Sequence, residues 1–165
     1  MERLSLYKEV FKENTLELFM NNRYNLKEYG DNNETYEEYG EFEIKDGELF
    51  LLSTKVIKNG IEETDPMKIY QKASYGIIIE NYIVEHVKSF HLLKNKNIIK
   101  LKNFKIKIQN EQAFKTNKFF FTKKNSIIGK VEEIDGVIKI YFDKENYEFI
   151  HRGKNFYKVE YEKIA

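Results

Sequence analysis

The sequence predicts an α+β fold in one domain, residues 1–165, dominated by antiparallel strands in a meander or barrel-like sheet. Three observations predict it. Turn dipeptides ending in glycine separate short alternating runs, which is typical of hairpins. Apolar residues also recur at helical spacing near the N terminus. A hydrophobic fraction of 41% in 165 residues suffices for a buried core.

An amphipathic helix is expected over residues 3–20. Five apolar residues recur there at helical spacing with charged residues between them: Leu4, Tyr7, Phe11, Leu18 and Phe19. The following segment, 24–39, is polar, acidic and rich in tyrosine. It is expected to be a loop or a long connection.

Four dipeptides predict hairpins, because a type I′ turn needs positive φ at its central residues. They are Asp46-Gly47, Asn59-Gly60, Asp135-Gly136 and Arg152-Gly153. The first two predict a three-stranded meander across residues 40–64.

A second helix is expected near 66–93, with Asp65 as its N-cap and Pro66 in its first position. Residues 77–93 leave a strand open as the alternative, because they begin with three isoleucines. Neither strand parity separates apolar from polar residues there, so the helix is preferred. His86 would then be a hydrogen-bonded core histidine.

The pattern turns to β after residue 97. Lysines alternate with apolar residues in two short runs, and the alternation slips near Asn103, which predicts a bulge or a tight turn. Phe119-Phe120-Phe121 is expected to be a buried strand.

Charge is sorted along the chain. Residues 28–48 contain nine acidic residues and one basic residue, whereas residues 94–124 contain ten lysines and one acidic residue. The complete chain has 28 basic and 27 acidic residues, so its net charge of +1 conceals two opposed regions.

The basic region predicts a lysine face that could meet a phosphate backbone. Its candidate residues are Lys100, Lys102, Lys105, Lys107, Lys115, Lys118, Lys123 and Lys124. Two other interpretations stay open. Edge lysines protect a sheet from aggregation, and 25 lysines against three arginines indicate an AT-rich bacterial or phage genome.

The acidic region predicts a second binding segment, whose candidates are Tyr29, Glu34, Tyr36, Glu37, Glu38 and Tyr39. It could dock on the lysine face, within one chain or in a dimer. It could also offer a partner a negative, aromatic surface, since tyrosine is enriched at interface hot spots. The third interpretation is a solvated connection.

The sequence contains none of the motifs sought for catalysis or cofactors. There is no cysteine, no phosphate-binding glycine loop and no zinc-protease helix. His86 and His91, five residues apart, cannot share a metal on one face. No catalytic residue, cofactor or metal site is therefore expected. The absence of a signal peptide or an 18-residue apolar run predicts a cytoplasmic protein that does not enter the membrane.

The predicted function is non-catalytic: a small binding or inhibitory protein that acts on a protein partner through separated acidic and basic surfaces. One alternative is a module that binds nucleic acid, or a nucleoprotein complex, through the lysine face. Another is a β-barrel that encloses a small ligand.

Overall fold

The computed structural model describes residues 2–65, 69–93, 96–117 and 126–165. Within these residues the chain forms fifteen antiparallel strands in one sheet and no helix. The fold is therefore all-β, and the α+β prediction is wrong. The predicted strand at residues 119–121 lies outside the described residues.

The first seven strands are β1 (Arg3–Glu9), β2 (Thr15–Phe19), β3 (Arg23–Tyr29), β4 (Thr35–Lys45), β5 (Glu48–Lys58), β6 (Ile61–Glu62) and β7 (Lys72–Ile79). The others are β8 (Tyr82–Leu93), β9 (Lys96–Lys100), β10 (Phe104–Gln109), β11 (Gln112–Asn117), β12 (Ile127–Ile134), β13 (Val137–Tyr141), β14 (Asn146–Arg152) and β15 (Asn155–Lys163). Their order in the sheet is β4-β3-β2-β1-β15-β14-β13-β12-β11-β10-β9-β8-β7-β5-β6, and β4 also pairs with β5 and β15 with β8.

The chain divides into two compact units. Unit 1 contains Met1–Val84 and Glu160–Ala165, and unit 2 contains Glu85–Val159. Strands β8 and β15 contribute residues to both. The prediction of one domain stays a prediction.

In unit 1 the pairings run from β8 through β7, β5, β4, β3, β2 and β1 to β15, which pairs with β8. Its core follows strand alternation. Leu16 and Leu18 on β2, with Tyr24 and Leu26 on β3, are buried at alternate positions and therefore share one face of the sheet.

In unit 2 the pairings follow the chain from β8 to β15 and again return to β8. Its core is also built from alternate strand positions. The fully buried members are Ile99, Ile106, Ala113, Ile140, Phe149 and Phe156.

The predicted N-terminal helix over 3–20 is wrong, because β1 and β2 occupy that segment. Leu4 and Phe11, two of the residues that gave the helical spacing, are each 49% exposed. The chain reverses between the strands through Phe11, whose φ is 63°. A bulky residue rarely adopts that conformation, so the turn carries no local signal.

The predicted helix near 66–93 is also wrong in the described part, where β7 and β8 form a hairpin. Residues 66–68, which include the proposed first position, lie outside the described residues. Ile83 and Val84, adjacent on β8, are both fully buried. Covering both faces of a strand removes the polar–apolar alternation, which explains why neither parity separated the residues.

The four predicted hairpins are confirmed. Asp46 and Gly47, between β4 and β5, have φ values of 52° and 79°, as a type I′ turn requires. Asn59-Gly60 and Asp135-Gly136 have nearly the same values. The fourth connection is Gly153-Lys154, between paired Arg152 and Asn155. The predicted loop over 24–39 is wrong, because most of it forms β3 and β4.

Gly40 and Gly47 provide a stability test of this sheet. A Cβ at Gly40 would overlap the Leu52 carbonyl oxygen and lie 2.8 Å from the Tyr24 ring, whereas no described atom lies within 4 Å of one at Gly47. We expect Gly40→Ala to lower the free energy of unfolding by about 3 kcal/mol and Gly47→Ala by about 1 kcal/mol. Urea denaturation measures both, and equal losses would contradict the close approach at Gly40.

A candidate anion-binding cavity in unit 2

A cavity of about 790 Å³ lies within unit 2. Residues of β8, β9, β10, β14 and β15 line it, together with the turn between β9 and β10. Its ionisable lining is four lysines, one histidine and one carboxylate: Lys88, Lys100, Lys102, Lys158, His86 and Glu85. The cavity is therefore strongly cationic.

Strand register places three lysines side by side. Lys88 on β8 lies opposite Lys100 on β9, which lies opposite Lys105 on β10. Directly opposed residues share one face of a sheet, and neighbouring strands are about 4.8 Å apart. These residues form a lysine row across three strands, and two of its members line the cavity.

Lys102 reaches the cavity from the turn between β9 and β10. Leu101 N donates a hydrogen bond to Phe104 O at 2.9 Å and closes this turn. The tight turn predicted near Asn103 is confirmed, and Asn103 also lines the cavity.

The lysine row concentrates positive charge. Lys105 is only 2% exposed. Its burial lowers the pKa of the ammonium group, and the charge of Lys100 lowers that pKa further. Within the part of the chain that the structure describes, neither Lys88 nor Lys102 makes an ion pair. Both side chains are exposed and available to a ligand.

Two aromatic rings form another part of the cavity wall. Phe104 and Tyr147 both line it, and their ring centroids are 5.6 Å apart. The Lys115 ammonium lies 4.2 Å from the Phe104 centroid and 5.4 Å from that of Tyr147. Such cation–π contacts hold the two rings in a fixed arrangement.

Lys115 is itself held by Glu145. The two form an ion pair, and Lys115 also donates a hydrogen bond to the Tyr147 hydroxyl at 3.1 Å. That hydroxyl donates to Glu145 at 2.5 Å. Hydrogen bonds from Lys115 and Tyr147 lower the pKa of the Glu145 carboxyl. Lys115 therefore supports the aromatic wall and is not a cavity-lining cation.

The structure thus separates the predicted lysine face into several environments. Lys100 and Lys102 line the cavity, and Lys105 is buried beside Lys100. Lys107 is half-buried opposite Ile98 and lies away from the lining. Three further candidates, Lys118, Lys123 and Lys124, lie outside the described residues.

Sequence reasoning missed Lys88, Lys158 and His86 as lining residues. They lie on β8 and β15, far along the chain from the lysine-rich segment, and only strand pairing brings them to the cavity. His86 is exposed and meets the Tyr157 ring edge-on at 5.3 Å, so the interpretation as a core histidine is wrong.

The acidic candidates lie in unit 1. Tyr29 ends β3, Glu34 lies in the following turn, and the rest lie on β4: Tyr36, Glu37, Glu38 and Tyr39. Hydroxyls of Tyr24 and Tyr36 donate to the two oxygens of Glu38, at 2.5 Å and 2.6 Å. Burial raises the pKa of both phenols, and the adjacent Glu38 raises it further.

Much of this segment is therefore occupied by contacts within unit 1. Tyr39 donates to Glu37 at 3.1 Å, whereas Tyr29 and Glu34 are exposed. The tyrosine hydroxyls on β4 serve intramolecular carboxylates in this structure, so the solvent-facing part of the segment is smaller than its sequence suggests.

The charge sorting in the sequence follows the two units. Unit 1 contains 11 basic and 19 acidic residues, giving −8, whereas unit 2 contains 17 basic and 8 acidic residues, giving +9. These values count every residue in each range and treat histidine as neutral. The cavity thus lies in a unit with an excess of positive charge.

No family model, curated protein or solved structure matches the chain. The described residues contain no cluster of three or more histidine and acidic side chains arranged to hold a metal ion. In the same residues, no helix has the length and apolar character needed to cross a membrane.

Glu28 provides a pH test of unit 1. Its burial raises the pKa of the carboxyl, and the charges of Glu9 and Glu38 raise it further. The folded chain therefore keeps this proton at pH values where the unfolded chain has lost it, so stability falls as pH rises above about 4.3. We expect Glu28→Gln to increase the free energy of unfolding at pH 7 and to lose this advantage below about pH 4.

Urea denaturation across this pH range measures the effect. Glu34→Gln, at an exposed turn position, is the matched control and should change stability little at any pH. A Glu28→Gln variant that is less stable than the parent at pH 7 would contradict the unfavourable ionisation of Glu28.

Proposed function

We propose that the chain is a non-catalytic binding protein and that the cavity in unit 2 holds an anionic ligand. The observation that carries the proposal is the convergence of Lys88, Lys100, Lys102 and Lys158 on one cavity with Glu85 as its only lining carboxylate. A cytoplasmic location belongs to the same proposal, since a cysteine-free chain is compatible with a reducing compartment.

Charge supports recognition at this cavity more than shape does. A lysine ammonium is a compact point charge on a flexible stem and lacks the planar fork of arginine. A charge pair at 4 Å is worth about 1 kcal/mol in water and about 4 kcal/mol near a protein surface before desolvation. Several lysines acting together therefore suit a ligand that carries more than one negative charge.

The cavity lining also supports binding in preference to acid–base chemistry. Its histidine and its carboxylate, His86 and Glu85, are consecutive on β8. Consecutive side chains of a strand point to opposite faces. The two groups are therefore poorly placed to act as an acid and a base on one substrate.

A protein partner is the second candidate, and the opposite charges of the two units favour it. Complementary charge steers association and gives selectivity between partners. One available partner is a second copy of the chain, with unit 1 of one copy against unit 2 of the other. Sedimentation at 20 mM and 500 mM NaCl tests this form, because a monomer at both salt concentrations removes self-association.

The anion site is tested by titration calorimetry with inorganic tripolyphosphate. We expect the parent chain to bind it, and Lys88→Gln and Lys102→Gln each to weaken binding about fivefold, the equivalent of about 1 kcal/mol for one lost charge contact. Both lysines are exposed, so the substitutions should leave folding intact.

Lys130→Gln is the matched control, since Lys130 is an exposed strand lysine of unit 2 that does not line the cavity. It removes the same charge and should leave the affinity almost unchanged. Absence of tripolyphosphate binding, or an equal loss from all three variants, would overturn the proposed site.

A further inference from the structure

We propose that the ligand of this cavity is single-stranded nucleic acid, held through at least two successive nucleotides. The inference rests on the proposed anion site and names its ligand. It is carried by the meeting of the lysine row with the Phe104 and Tyr147 rings in one cavity. Proteins that bind single strands combine a basic groove with aromatic stacking surfaces.

The lysines suit a chain of phosphates. Lys88 and Lys100 are neighbours in the row across strands, whereas Lys102 lies in the turn and Lys158 on β15. Their positions on four different structural elements distribute the positive charge around the cavity. A ligand with successive phosphates can meet several of these cations at once, whereas a single phosphate cannot.

The rings suit a base. Phe104 and Tyr147 line the same cavity as the lysines, and every nucleobase has a flat face that stacks on an aromatic ring. Lys115 contacts both rings and is fixed by Glu145. The aromatic wall is therefore ordered before the ligand arrives, which reduces the entropy lost on binding.

The cavity size suits an unpaired strand. Its volume of about 790 Å³ lies in the range of about 300–1,000 Å³ that is typical of sites for small ligands. This space accommodates one or two nucleotides. A base within a duplex would have to leave its partner before it reached the rings, at a cost of a few kcal/mol.

The chemistry of the lining further predicts weak sequence preference. The cations that line the cavity, within the described chain, are lysines and one histidine, with no arginine. Bidentate reading of guanine is most often the work of arginine. Recognition through lysine–phosphate contacts and stacking is tolerant of base identity.

Fluorescence anisotropy with the complete chain tests the inference. The probes are a labelled eight-nucleotide thymidine strand, an abasic strand with the same number of phosphates, and a duplex that contains the thymidine strand. We expect the thymidine strand to bind about fivefold or more tightly than the abasic strand, because stacking contributes at least about 1 kcal/mol per base. The duplex should bind more weakly than the thymidine strand.

Salt dependence reports the phosphate contacts separately. With four lysines engaged, the logarithm of the association constant should fall with the logarithm of salt concentration at a slope of about −3 for both single strands. Lys102→Gln should make this slope shallower by about 0.7, whereas Lys130→Gln should leave it unchanged.

A ring variant separates stacking from charge. Phe104→Leu should remove most of the advantage of the thymidine strand and leave abasic binding unchanged. Tyr141→Leu is its control, since Tyr141 is a partly buried tyrosine on β13 that does not line the cavity. Thermal unfolding checks that both variants fold, and the comparison of ligands on the parent chain does not depend on either.

The outcomes distinguish this inference from the proposed function. Equal affinity for the thymidine and abasic strands would overturn the nucleic-acid assignment and leave anion binding in place. Duplex binding as tight as single-strand binding would also overturn it. Failure of all three nucleic-acid probes and of tripolyphosphate would overturn both proposals.

Discussion

Antiparallel backbone pairing is the constraint on which this structure depends. The pairing of β15 with β8 returns the sequence of strand contacts in each unit to its starting strand. Backbone amides that would otherwise form exposed sheet edges thereby gain partners, which protects against edge-to-edge aggregation. Core packing follows from the same arrangement, since each strand buries alternate residues against its own unit.

The cavity inherits its chemistry from this register. Lys100 lies between Lys88 and Lys105 only because β8, β9 and β10 pair as they do. A slip of one residue in β9 would turn Lys100 to the core face and Ile99 outward. The burial of Ile99 therefore fixes the position of its charged neighbour, so that packing energy in the core also maintains the cationic row.

Sequence predicted those parts of the fold whose turns carry a chemical signal. Asp46-Gly47 and Asp135-Gly136 marked their hairpins because a glycine tolerates positive φ. The reversals at Phe11 and Glu80 use the same left-handed backbone with residues that seldom adopt it, so the flanking strands were misread as helices. Lys100 and Lys102 were identifiable from alternation, but Lys158 reaches the cavity through pairing between distant segments, which a local pattern does not contain.

The opposite charges of the two units have a consequence for handling the protein. Near its isoelectric point of about 7.8, the chain still presents a strongly anionic unit and a strongly cationic one. Added electrolyte screens attraction between unlike units of neighbouring molecules. Solubility should consequently increase with moderate salt, and the purified chain should be retained by both anion- and cation-exchange resins at one pH.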